Sequence, residues 1–265
     1  MKISGKVVVV TGGANGIGQA LAETFHREGA AKVVVADLDG ARAKTVADAI
    51  GGASFACDVA KESDILHVID ETEKQFGPIE LFCSNAGIIG EFDPLSENAG
   101  GSSDAPWAKS WAVNVMAHIY AARHLVPRMR ARGGGYFLNT VSAAGLLSQV
   151  GSAAYSTTKH AAVGFAENLA ISHKAHNIRV SILCPQGVET NMIRGMPKGP
   201  QSHDGNLTPE EVALCALEGI DRETFLILPH PQVLDYMRKK TDNYDRWIGG
   251  MAKIQAGMRE TFGKK

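Results

Sequence analysis

KVVVVTGGANGIGQALAETFHRE, residues 6–28, is the stretch whose reading decides the architecture of this chain. After Lys6, residues 7–10 form a short run that is β-branched and apolar throughout, which marks a strand covered on both faces. TGGANGIG (11–18) follows without a spacer and opens a helix-period segment from Ile17 to Glu28. In that position glycines let the backbone turn tightly and approach a pyrophosphate. The helix N-terminus then directs unpaired N–H groups and a partial positive charge at it. The spacing of Gly12, Gly16 and Gly18 departs from G-x-G-x-x-G, so a simple tight turn stands as the alternative until the surroundings are read.

The surroundings repeat the pattern. Strand-like runs recur at KVVVAD (32–37), SFACDV (54–59), IELFCSNAG (79–87), YFLNTVS (136–142), IRVSILCP (178–185) and TFLILP (224–229). Helix-period segments lie between them, among them Glu62 to Phe76, Pro106 to Met129 and Ala153 to His176. Alternation of this kind implies right-handed crossovers and predicts an α/β fold: one Rossmann-type, doubly wound sheet of about seven parallel strands with helices on both faces. A single domain over residues 1–265 is expected, with 188–206 as a substrate lid and 230–265 as a C-terminal extension. Residues 91–104 and 195–206 are turn-rich and read either as loops near a site or as surface connections.

Composition narrows the function. With 45% hydrophobic residues, 21% charged residues and a net charge of −1, the chain has no electrostatic footprint for nucleic acid or for an anionic membrane. No apolar run approaches a membrane span and MKISGKVVVV is too short for a secretory signal, so a cytoplasmic protein is expected. Cys57, Cys83, Cys184 and Cys215 are far apart and form no C-x-x-C, which argues against zinc or a disulfide framework. A small, nearly uncharged substrate is the partner this composition favours.

Two features carry chemistry. Asp37 ends the second strand about 20 residues beyond the glycine turn, where a carboxylate accepts hydrogen bonds from ribose hydroxyls and repels a 2′-phosphate. The turn itself holds Asn15 and no Arg or Lys, so both features favour NAD over NADP; Asp39 shares the role or is simply a turn former. Further on, YSTTK (155–159) places Tyr155 and Lys159 four residues apart, on one helix face. A nearby ammonium favours the phenolate, so Lys159 is expected to bring the Tyr155 phenol down towards neutrality while staying protonated itself.

Taken together, TGGANGIG, CDV (57–59), NAG (85–87), Asn114 in WAVNV, Ser142 in NTVSAAG and YSTTK resemble the short-chain dehydrogenase/reductase family, in order and spacing, over roughly the first 190 residues. The resemblance implies hydride transfer between NAD(P) and an alcohol or carbonyl carbon. It assigns Asn114, Ser142, Tyr155 and Lys159 as the catalytic set, puts Asp58 and Val59 at the adenine, and makes Asn85, Ala86 and Gly87 a support for sheet and cofactor. Lys159 would also bond the nicotinamide ribose, and Asn114 would hold a water linking it to solvent. Where the family has Pro-Gly-x-Val-x-Thr, this chain reads PQGVET (185–190): Pro185, Val188 and Thr190 match cofactor positions, and Gln186 departs from the pattern. The resemblance also implies a homotetramer or homodimer built on the helix after Tyr155, whose Ala161, Ala162, Gly164 and Ala166 would let a second helix approach.

The resulting expectation is an NAD-dependent oxidoreductase acting on a secondary alcohol, or its ketone, of moderate apolar character. An NADPH-dependent ketone reductase, a nicotinamide-binding redox sensor and a dehydratase or epimerase are the alternatives. Met192, Ile193 and Met196 read equally as lid contacts to substrate or as core, and the tail as a cover for the cleft or a subunit contact. His160 reads as a surface or interface residue, His203 and His230 as loop residues.

Overall fold

The computed structural model describes residues 1–96, 98–194, 199 and 202–262. Its strands are β1 (Val7–Thr11), β2 (Lys32–Asp37), β3 (Ala53–Ala56), β4 (Leu81–Ser84), β5 (Gly135–Thr140), β6 (Ile178–Leu183) and β7 (Leu226–Ile227). All pair in parallel in one sheet, in the order β3-β2-β1-β4-β5-β6-β7. The expected doubly wound sheet is therefore what forms. β1 lies at its middle, with Val8 opposite Val33 on one side and Leu81 on the other. The chain winds outward from β1 in one direction and then in the other. That reversal leaves a crevice at the carboxyl ends of β1 and β4.

The run of valines makes physical sense in this position. Val7 and Val9 enter one core with Phe82 and Phe137, while Val8 and Val10 enter a second core with Leu21 and Phe25 on the opposite face. The first core is closed by α3 (Glu62–Phe76), α5 (Ala117–Ala131) and α6 (Ala153–His173), the second by α1 (Gly16–Arg27), α2 (Gly40–Ala49) and α7 (Pro209–Asp221). Each fully buried side chain of this size contributes roughly 1.5–3 kcal/mol. α7 starts on a capping box, Thr208 and Glu211 each satisfying the other's backbone N–H, with Pro209 at its first position.

Several boundaries differ from those the sequence suggested. Asp58 and Val59, Asn85 to Gly87, and Ser142 all lie beyond the strands expected to contain them. At these carboxyl ends the backbone leaves the sheet and side chains satisfy it instead: the Asn85 N–H donates to Thr11 Oγ1 at 3.0 Å. The segment expected as one helix over Pro106 to Met129 is α4 (Asp104–Trp111), a π turn at Ala112–Met116 and then α5. On α6, Ala162 and Ala166 pack into the protein's own core, which corrects the expectation that they invite a partner helix; Gly164 faces open space. Two further helices, α8 (Gln232–Asp242) and α9 (Tyr244–Phe262), make up the tail. Met196 and five other residues of the anticipated lid, 195, 197, 198, 200 and 201, fall outside the described residues. Among those described, no helix is long and apolar enough to cross a membrane.

Candidate active site

The glycine turn is fixed by close backbone approach. A Cβ on Gly12, at φ +63°, would lie 2.8 Å from Ala86 Cα, and one on Gly18 would lie 2.0 Å from the Gly12 carbonyl oxygen. No side chain fits at either position. Asn15 precedes α1 in extended backbone and makes no side-chain cap, so the first N–H groups of the helix are left to whatever sits before them. Thr190 closes this end from the far side, its Cγ2 2.9 Å from where a Cβ of Gly16 would stand. The Asn191 amide also reaches Asn15 Oδ1, at 3.4 Å.

Asp37 is held by this turn as well as beside it. Its Oδ2 accepts from the Ala14 N–H and its Oδ1 from the Asp39 N–H, both at 3.0 Å. Asp39 caps α2 by accepting from the Arg42 N–H, so it is a helix start as much as a ribose ligand. Sequence reading missed Arg42 altogether. Its Nε donates to the Ala14 carbonyl at 3.1 Å, which brings a guanidinium to a turn that has no basic residue of its own. Asp58 accepts from the Ala60 N–H at 3.1 Å, fixing the turn that carries Val59.

The residues that carry hydroxyl and amine chemistry arrive from three elements. Ser142 follows β5 with φ 155°, a conformation few side-chain-bearing residues adopt. It is over-determined by its surroundings: its hydroxyl accepts from the Ala144 N–H at 3.1 Å, and the Ala143 N–H donates to the Pro185 carbonyl at 2.9 Å. Tyr155 and Lys159 project from the first turns of α6, the ammonium 5.6 Å from the phenol ring centroid and donating to the Thr140 carbonyl at 3.3 Å. The π turn rotates Asn114 inward. There it is fully buried, Oδ1 accepting from the Ile88 N–H at 2.9 Å and Nδ2 donating to the Ile88 carbonyl at 2.9 Å and to Thr158 Oγ1 at 3.1 Å. A Cβ placed on Gly87 would stand 3.2 Å from Lys159 Nζ and 3.4 Å from Asn114 Oδ1, so both groups flank that residue.

Electrostatics depart from the simple expectation. Burial pushes the Tyr155 phenol above its ordinary value, and only the Ser142 hydroxyl pulls it down. Burial likewise lowers the Lys159 ammonium to about 8. Spacing had suggested that the lysine would lower the tyrosine. In the folded chain the desolvation of each charged form sets the direction of its shift.

All the residues expected from the sequence to be catalytic or to hold cofactor, except Asn114, line one cleft of about 1360 Å³: Gly12, Asn15, Gly16, Ile17, Gly18, Asp37, Asp58, Val59, Asn85, Ala86, Gly87, Ser142, Tyr155, Lys159, Pro185, Val188 and Thr190. That exceeds the roughly 300–1,000 Å³ of a typical small-ligand pocket and leaves room for a dinucleotide and a second ligand. The open phosphate-facing helix end, the glycine contacts and the ribose-height carboxylate fit a nicotinamide dinucleotide. Beyond Tyr155 the walls turn apolar, with Ile89, Phe92, Leu147, Met192 and Ile193. The tail supplies the remaining wall: Tyr236 from α8 and Trp247, Met251 and Ile254 from α9 face the same space. Gln255 and Arg259 bond the carbonyls of Pro94 and Ser96, pinning α9 across residues 91–104. The tail thus covers the cleft, one of the two roles its sequence left open.

Known proteins carry the same features. A family model described as short chain dehydrogenase matches residues 6–200. The chain is 34% identical over 195 residues to the sex determination protein tasselseed-2 of Zea mays, a match covering 72% of this chain and 58% of that one. It is 30% identical over 256 residues to 1-deoxy-11-beta-hydroxypentalenate dehydrogenase of Streptomyces exfoliatus, covering 94% and 91%. Among solved structures, a short chain dehydrogenase/reductase from Burkholderia phymatum in complex with NAD superposes with a TM-score of 0.81 at 28% identity, over 92% of this chain and 96% of the other. With the family model spanning the glycine turn, the serine, the tyrosine and the lysine, the chain belongs to the short-chain dehydrogenase/reductase family.

Proposed function

We propose that this oxidoreductase transfers a hydride between NAD and a secondary alcohol, or its ketone, of moderate size and largely apolar character. The observation that carries the reading is the single cleft in which the Asp37 end and the Ser142–Tyr155 hydroxyls lie on one continuous surface. Bound NAD would supply the hydride acceptor, held by the glycine turn, Asp37, Asp58, Val59, the wall at Asn85 to Gly87, Pro185, Val188 and Thr190. Tyr155 takes the alcohol proton, and Ser142 donates a hydrogen bond to the same oxygen as its charge develops. Lys159, with an ammonium that titrates at about 8, is charged at neutral pH and stabilises the phenolate. Asn114 is committed to Ile88 and Thr158, and acts by fixing the backbone beside Gly87 and Lys159.

The choice of NAD rests on Asp37, whose carboxylate stands where a 2′-phosphate would otherwise be accepted. Arg42 is the observation that favours the NADPH-dependent reading, since a guanidinium bonded to the Ala14 carbonyl is within the same corner. The apolar walls and the adaptable Met192 suit a substrate with a large hydrocarbon body. A cytoplasmic enzyme and a homotetramer or homodimer are part of this reading. Exposed Trp111 on α4 and Ile171 and Gly164 on α6 are the surface left for a second copy.

Formation of reduced nicotinamide, followed with NAD and NADP over aliphatic, alicyclic and aromatic secondary alcohols, tests the proposal. Turnover with NAD that falls by about 10²–10⁴ in Tyr155→Phe is the expected result. A protein that binds NADH yet turns over nothing would instead favour a redox sensor.

A further inference from the structure

Gln186 departs from the family pattern, and its surroundings give the departure a use. The residue leaves β6 directly beside Ser142, because the Pro185 carbonyl accepts from the Ala143 N–H at 2.9 Å. On its other side the Gln186 N–H donates to Nδ1 of His230 at 3.2 Å. His230 is 3% exposed, so it is a buried anchor and not the ordinary loop residue its sequence context suggested. Backbone and β-carbon of Gln186 are thereby fixed at the wall of the cleft next to the reacting hydroxyls.

The side chain, by contrast, is committed to nothing. Its carboxamide oxygen is buried, and among the described residues it has no hydrogen-bond partner; the amide nitrogen donates to none of them either. Buried polar groups are nearly always paired, and a carboxamide oxygen left unpaired on a residue that lines a ligand cleft is placed to pair with the ligand. One donor and one acceptor side by side suit a hydroxyl, which both donates and accepts, whichever way the amide is turned. The position beside Ser142 sets where that hydroxyl must be: near the carbon that exchanges hydride and not at the far end of the molecule.

We propose that Gln186 is a specificity-determining residue that binds a second hydroxyl on the substrate, close to the reacting one, so that the preferred substrates are diols or hydroxy ketones with an otherwise apolar frame. This inference rests on the oxidoreductase reading above. A substrate without the second hydroxyl leaves the carboxamide oxygen buried and unpaired, which is the situation in which a site discriminates most strongly.

The test compares kcat/KM for matched alicyclic pairs, cyclohexanol against its 1,2- and 1,3-diols and an aryl carbinol against the corresponding vicinal diol, in wild type, Gln186→Met and Gln186→Gly. NADH affinity is measured alongside by fluorescence titration. Wild type is expected to favour at least one diol by about tenfold or more, with the ratio falling to near one in both variants and NADH binding retained. Turnover of simple alcohols with a flat ratio in wild type, or a ratio unchanged in Gln186→Met, overturns this inference and leaves the oxidoreductase reading intact. So does a loss of NADH affinity with no change in ratio, which would assign the amide to the nucleotide. No turnover of any member with either nucleotide overturns both.

Discussion

His118 offers the most quantitative check on how the site is built. It lies on α5 one helical turn after Asn114, is 2% exposed, and neither ring nitrogen makes a well-formed hydrogen bond. Burial, reinforced by the nearby Lys159 charge and opposed by Asn139, pushes its imidazole down to about 3. In the unfolded chain the same ring titrates near ~6.5. Between those two values only the unfolded state carries the proton. Stability is therefore full above the unfolded value and is lost as pH falls through the window, at about 1.4 kcal/mol per pH unit once the window is entered. From pH ~7.5 to ~5 the integrated loss attributable to this residue is about 2 kcal/mol. Urea unfolding of wild type and His118→Leu at both pH values isolates it, because shared contributions such as the Glu73 pairs with Arg128 and Arg132 cancel in the difference. Any offset in stability between the two chains at pH ~7.5 also cancels. Parallel losses in the two chains, within about 0.5 kcal/mol, would refute the reasoning and mean that the ring finds a partner when charged.

Two further perturbations follow from the geometry. Asp37→Ser removes the carboxylate from a corner that already holds Arg42; a charge pair at about 4 Å is worth about 1–4 kcal/mol, so the NADP-to-NAD ratio of kcat/KM is expected to rise at least about fivefold. A ratio that does not move would mean the carboxylate has no part in choosing the nucleotide. Asn114→Ala leaves the Ile88 N–H and carbonyl unpaired in a part-buried site, at about 1–3 kcal/mol each, so urea unfolding should show a loss of about 2 kcal/mol or more. A loss below about 1 kcal/mol would mean that water replaces the amide.

Much of this arrangement was legible in residues 6–28, for a physical reason. Four consecutive valines exclude a sheet with one wet face, and a glycine turn leading straight into a helix is affordable only where the backbone must come close to something. Once those two facts are read, the alternation downstream fixes the sheet. What periodicity cannot report is which neighbour a residue meets after the chain has crossed over. Arg42 stands 28 residues from the carbonyl it bonds, and His230 stands 44 from Gln186. Both contacts are set by the winding of the sheet. Ala162 and Ala166 carry the same limit: small residues on a helix face look the same whether the partner is another subunit or the chain's own sheet.

The tyrosine and lysine show where spacing misleads about chemistry. Four residues on a helix guarantees proximity, and proximity between a phenol and an ammonium lowers the phenol only if both stay solvated enough for their charges to be cheap. Here the cost of burial acts on each charged form separately, so the phenol rises while the ammonium falls to about 8, and the ordinary order of a phenol slightly more acidic than an amine is reversed. Raising the pH alone would therefore strip Lys159 before it ionised Tyr155. A working base at neutral pH has to come from groups that stabilise the phenolate selectively. Within the chain the Ser142 hydroxyl already pulls the phenol down, and the proposed mechanism adds Lys159, which is still protonated because neutral pH lies below its value. It follows that activity depending on Lys159 as a cation should fade as pH climbs past about 8, even while bulk alkalinity favours proton removal from an alcohol. A pH profile of kcat/KM that keeps rising well beyond that point would place the phenolate's stabilisation somewhere other than in this lysine.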